Sequence, residues 1–111
     1  MDLVLADRMV GDWTVVGVKG EVDLSSAGQL RDHLSRLVSS GRAQLIADLT
    51  DVSFMDSSGL GALVSVLKSA KDKDGDLGLI CPEGSVLKVF SITGLDNVFR
   101  VFPDESALSD A

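Results

Sequence analysis

Asp56, Ser57 and Ser58 stand together in the stretch DVSFMDSSGLG, residues 51 to 61, between the apolar pair Phe54-Met55 and a long apolar run. A carboxylate beside two hydroxyls admits three kinds of chemistry: nucleophilic attack, anion binding, or acceptance of a phosphate. Attack by a serine needs a general base. The one histidine, His33, reads as a partly solvated helix residue, and neither serine sits in a GxSxG elbow. Anion binding at a helix start is physically sound, yet the loop has no Walker pattern and no lysine, and Asp56 would repel the anion. A hydroxyl offered to a kinase needs neither a base nor a cation of its own. One of Asp56, Ser57 and Ser58 should cap the helix that follows, its side-chain oxygen accepting a bond from a first-turn amide, and one serine would suffice for that. The second is surplus to that need. Gly59 and Gly61 follow, each weakening the first turn by about 1 kcal/mol relative to alanine and each leaving room for another molecule's backbone.

The elements that must hold this loop can be read around it. LVLAD (3 to 7) and TVVGVKG (14 to 20) have strand character and are joined by a turn at Gly11-Asp12. Ser25-Ser26 are good N-caps for a helix whose apolar face is Ala27, Leu30, Leu34, Leu37 and Val38, stopped by Gly41. AQLIADL (43 to 49) is a buried-strand run leading into the loop, and Leu60, Leu63, Val64 and Leu67 mark the helix behind it. A strand at 77 to 81, a third helix from Pro82-Glu83 through Phe90 closed by Gly94, a last strand at 98 to 102 and a short helix from Pro103-Asp104 complete the order. Strands alternating with helices predict an α/β domain with right-handed crossovers and mostly parallel strands, the first pair forming a hairpin. Loops at the carboxyl ends of such strands gather function, and DVSFMDSSG is one of them.

The length of 111 residues, with 45% apolar and 24% charged side chains, fits one soluble domain over residues 1–111. Seventeen acids against ten bases give a net charge of −7, which argues against nucleic acid and anionic lipid as partners. The start MDLVLADRMVGD lacks the basic opening of a signal peptide, and no apolar run approaches the ~20 residues that span a bilayer. The expectation is a cytoplasmic protein without a membrane segment. Cys81, the only cysteine, reads as a buried small hydrophobe.

FMDSSGLGAL closely resembles the signature loop of anti-sigma factor antagonists, the founding group of the STAS domain family. Three segments carry the likeness in order: VVGVKGEVDLSSAGQLRDHL, LIADLTDVSFMDSSGLGALVSVLKSAK and VLKVFSITGLDNVFRVFPDESAL. The resemblance implies a single STAS domain with an open, mostly parallel sheet and helices packed chiefly on one side. It implies a partner that is an anti-sigma factor and also an ATP-dependent serine kinase, so that binding frees a sigma factor for transcription. Phosphorylation would fall on Ser57, directly after the loop aspartate, and a PP2C-type phosphatase would reverse it. Asp56 would position the hydroxyl, while Ser58 and Gly59 would cap and shape the helix start.

The partner surface implied by the resemblance comprises Gly20, Glu21, Asp23 and Ser25 around the G-E-x-D turn, with Asp56, Ser57, Ser58, Gly59, Leu60 and Gly61. Asp23 has an equally ordinary reading as a capping or turn acid. Leu24 stands where some relatives carry polar residues and would bear on which kinase is recognised. No catalytic residue, metal or cofactor is expected in the chain itself, since ATP and Mg²⁺ would belong to the kinase. A different class of function, a STAS scaffold subunit of a transporter-associated or stress-signalling complex, would use the same fold without phosphorylation.

Overall fold

A computed structural model describes residues 2–110. Strand β1 (Val4–Val10) runs into β2 (Trp13–Val22) through Gly11, whose φ of +58° suits a residue without Cβ, and the two pair antiparallel from Val10 opposite Trp13 to Val4 opposite Lys19. Helix α1 (Ala27–Ser39) carries the chain to β3 (Gln44–Met55), which lies parallel to β2. Helix α2 (Ser57–Asp72) then leads to β4 (Asp76–Ile80), and α3 (Ser85–Thr93) leads to β5 (Val101–Phe102), each new strand parallel to the one before. The sheet order is β1-β2-β3-β4-β5. The fold is the expected α/β arrangement with a mostly parallel five-stranded sheet and a hairpin at its start.

Alternation along the strands divides the interior into two faces. Val16, Val18, Leu45, Ala47, Leu77 and Leu79 join Leu30 and Leu34 of α1, Leu63 and Val66 of α2, and Phe90 of α3 in the main core. Val15, Ile46 and Ile80 point to the other face, where Leu108 of a terminal 3-10 helix (Glu105–Asp110) covers them. The three α-helices therefore share one side of the sheet, and among the described elements this short helix is the one that covers the other. Burial on both faces explains why the central strands read as apolar runs without strict alternation.

Three boundaries and one cap differ from the sequence reading. β3 continues through Met55, so Asp51 to Met55 are strand rather than loop, because their amides and carbonyls pair with β2 as far as Val22 opposite Met55. α3 begins at Ser85 after Gly84, whose φ of +155° is incompatible with helix, and not at Pro82. β5 is confined to Val101–Phe102, since a 3-10 turn at Leu95–Asn97 turns Phe99 inward for edge-to-face contact with Phe90 at 6.0 Å between centroids. Ser26 holds the N-cap position of α1 but makes no capping bond. Its hydroxyl is drawn backward, donating to the Glu21 carbonyl at 2.7 Å.

Candidate functional site

Two turns meet at the carboxyl ends of β2 and β3. Glu21 lies opposite Phe54 and Val22 opposite Met55, and the Asp56 amide donates to the Val22 carbonyl at 3.2 Å. Pairing of the strands thus sets the G-E-V-D turn beside the D-S-S-G turn. Register shifts after Gly17 and after Gly20 precede the junction, and Gly20 adopts φ +126° with Leu3 only 3.3 Å from where a Cβ would stand. A side chain at residue 20 would be strained and crowded, which makes glycine there a structural requirement.

Asp56 is the N-cap of α2. Its carboxylate accepts from the amides of Ser58 at 2.9 Å and Gly59 at 3.4 Å, satisfying donors that the first turn leaves unpaired. The cap therefore belongs to the aspartate and to neither serine. Nor does Asp56 hold the Ser57 hydroxyl: its bonded oxygen is engaged with backbone amides, and no described residue hydrogen-bonds Ser57 Oγ. Ser57 is exposed at the first helical position, whereas Ser58 is half-buried. Neither serine hydroxyl has a hydrogen-bond partner among the described residues, and that of Ser57 is the more exposed.

The two glycines of the loop differ in purpose. A Cβ on Gly59 would come within 2.7 Å of Val22 and 2.8 Å of Met55, so this glycine lets α2 seat against the ends of β2 and β3. Gly61 is exposed and a Cβ there would meet nothing within 4 Å. Only Gly61 leaves open surface for an approaching molecule. Leu60, 7% exposed, packs in the core. Gly59 and Leu60, both placed on the partner surface by the sequence reading, are thus buried at the helix start.

Asp23 organises the neighbouring turn. It accepts from the Ser25 hydroxyl at 2.7 Å, the Ser25 amide at 2.9 Å and the Ser26 hydroxyl at 3.2 Å. The Ser25 hydroxyl, with the Ser25 amide and Ser26, holds the Asp23 carboxyl below the usual range against the small cost of its burial. Asp23 is thus a turn acid that fixes Ser25, and Glu21 ahead of it is exposed. Leu24, between them, is 85% exposed.

A groove of about 450 Å³ runs between the starts of α1 and α2. Leu24, Ala27, Gly28 and Arg31 line one side, and Ser57, Ser58, Gly61, Ala62 and Ser65 line the other. The sequence reading did not include Arg31 in the site. Its signal is faint: small residues at 27 and 28 and again at 61 and 62, which leave space where the helices face each other.

His33 hydrogen-bonds Asp7 on β1 at 2.7 Å. Asp7 pairs with Val16, which pairs with Ala47, and from there to Met55 is about 26 Å of extended strand. The histidine does not line the groove. Cys81 is 2% exposed and burial pushes its thiol up, as befits a packed side chain. Among the described residues no helix is long and apolar enough to cross a membrane.

A model of the STAS domain matches residues 5–108. The chain is 40% identical over 86 residues, 78% of each chain, to the anti-sigma-B factor antagonist of Bacillus subtilis. An anti-sigma factor antagonist from Mycobacterium paratuberculosis superposes with a TM-score of 0.85 at 25% identity, covering 95% of this chain and 89% of the other. The Bacillus cell fate determinant SpoIIAA, solved in its phosphorylated form, gives a TM-score of 0.72 at 27% identity over 96% and 98%. With fold, signature loop and relatives in agreement, the chain belongs to the STAS domain family, alongside its anti-sigma factor antagonists.

Proposed function

We propose that this protein is an anti-sigma factor antagonist that binds an anti-sigma factor serine kinase in the cytoplasm, freeing a sigma factor, and that phosphorylation of Ser57 switches it off. The observation that carries this reading is the division of labour at the loop: Asp56 takes the cap, and Ser57 stays exposed with its hydroxyl unengaged by any described residue. A kinase can reach that oxygen without unfolding the helix. A phosphate there adds about −1.5 to −2 charges, and the groove beside it holds exposed Leu24 and the bare backbone of Gly61. A partner seated on those residues would have to desolvate the new charge, which disfavours the complex. ATP and Mg²⁺ are the kinase's, and a PP2C-type phosphatase resets the switch.

Mass-spectrometric mapping after incubation with source-cell extract and Mg-ATP tests the reading, with Ser57→Ala alongside. A single phosphate on Ser57, absent from the variant, is expected. Modification of Ser25 instead, or none in an extract active on other substrates, would overturn the assignment.

A further inference from the structure

Arg31 is the only charged side chain among those lining the groove beside Ser57. Its guanidinium folds back over the first turns of α1, with Nη2 3.7 Å from where a Cβ on Gly28 would stand. That is ordinary contact distance, so the arginine lies close along the α1 wall of the groove. Among the described residues its one ion pair is with the adjacent Asp32, at 3.5 Å, both side chains half-exposed or more. Such a pair is long, solvated and readily exchanged. Across the groove, α2 has no acid in its first turn, and the Asp56 carboxylate before it is bonded to amides. The wall facing Arg31 is made of hydroxyls, small side chains and Gly61.

We propose that Arg31 is the in-chain counter-ion of a phosphate carried on Ser57, a step that rests on the reading of Ser57 as the acceptor. Guanidinium and phosphate pair through paired N–H donors aimed at two oxygens, a geometry the fork of arginine supplies and lysine does not. Drawn toward Arg31, the phosphate lies across the groove instead of trailing in solvent. The modification then occupies the cleft between α1 and α2 as well as charging its edge. Arg31 also offsets the repulsion between the phosphate and Asp56, so the modified chain keeps its helix start.

The test installs phosphoserine at residue 57 by genetic encoding and follows its ³¹P resonance against pH in otherwise unchanged protein, in R31Q and in R31K, each checked for native circular dichroism. A nearby cation favours the dianion, so the second ionisation, ordinarily near pH 6, should fall about half a unit lower with Arg31 than with glutamine, and lysine should give an intermediate value. Raising the salt should shrink the difference. Coincident titration curves with Arg31 and with glutamine would overturn the proposal. Since the phosphate is installed without a kinase, that result would leave the mapping of Ser57 untouched, and a kinase that ignored Ser57 would not alter these curves.

Discussion

Asp56 accepts the amide hydrogen of Ser58 at 2.9 Å, and this contact starts α2. With the cap on Asp56, both serine hydroxyls are left unengaged by any described residue, and Ser57 carries the exposed one. Replacing Asp56 with alanine should cost about 1 kcal/mol, the ordinary worth of a side-chain N-cap, while asparagine should retain most of it. Urea unfolding of the three proteins measures this. Equal midpoints for Asp56→Ala and the parent would mean that the cap contributes nothing.

Gly59 and Gly61 should respond oppositely to the same change. A methyl on Gly59 would collide with buried Val22 and Met55, and overpacking outweighs the better helix propensity, for a net loss of about 1 to 2 kcal/mol. A methyl on Gly61 meets open space, so Gly61→Ala should gain up to about 1 kcal/mol. The same methyl stands in the groove and should weaken kinase binding. Calorimetric melting paired with a kinase pull-down separates the two. Stability falling equally in both variants would contradict the packing of Gly59 against Val22 and Met55.

The sequence made the order of elements legible because its signals are local: apolar spacing at Leu60, Leu63 and Leu67, and a stop at Gly41. It also pointed to the loop, through its surplus of hydroxyls. What it left undetermined depends on pairing across the sheet. Whether Phe54 is strand or loop is set by Glu21, a partner far away in the chain. Whether Gly59 is a docking surface or a packing need is set by Val22 and Met55. Arg31 is not legible in the sequence because a lone arginine on a helix is ordinary until the neighbouring helix places Ser57 across from it.

The acid limit of stability should depend on Asp48. Arg8 on β1 lies across Gly17 of β2 to reach Asp48 on β3 at 2.9 Å, and it also reaches Glu105 of the terminal 3-10 helix at 2.7 Å. Burial works to raise the Asp48 pKa, but hydrogen bonds from Thr50 and Arg8 outweigh it and hold the carboxyl below its usual value. A folded-state pKa below the unfolded one means stabilisation that is complete above the ordinary carboxylate range near 4 and fades as pH drops through it. Asp48→Asn should therefore be less stable than the parent at pH 7, with the gap narrowing toward pH 3. Urea midpoints across that range measure it, and a gap independent of pH would refute the role of the charge.

Ser57→Asp separates signalling from folding. The added carboxylate stands at the first position of α2, where the helix dipole favours it, while Asp56 next to it opposes it. These effects are similar in size and opposite in sign, so stability should change by no more than about 0.5 kcal/mol, as for most exposed sites. Binding to the proposed kinase partner should nonetheless be lost, because the charge stands in the face that such a partner would have to desolvate. Leu63→Ala provides the contrast: that side chain is 0% exposed in the main core, and its truncation should cost about 2 to 5 kcal/mol and abolish binding through unfolding. Melting temperatures and kinase pull-downs on all three proteins tell loss by charge from loss by unfolding. If Ser57→Asp melted as low as Leu63→Ala, Ser57 would be a structural residue of the helix start, and the switch would have to be sought on another hydroxyl.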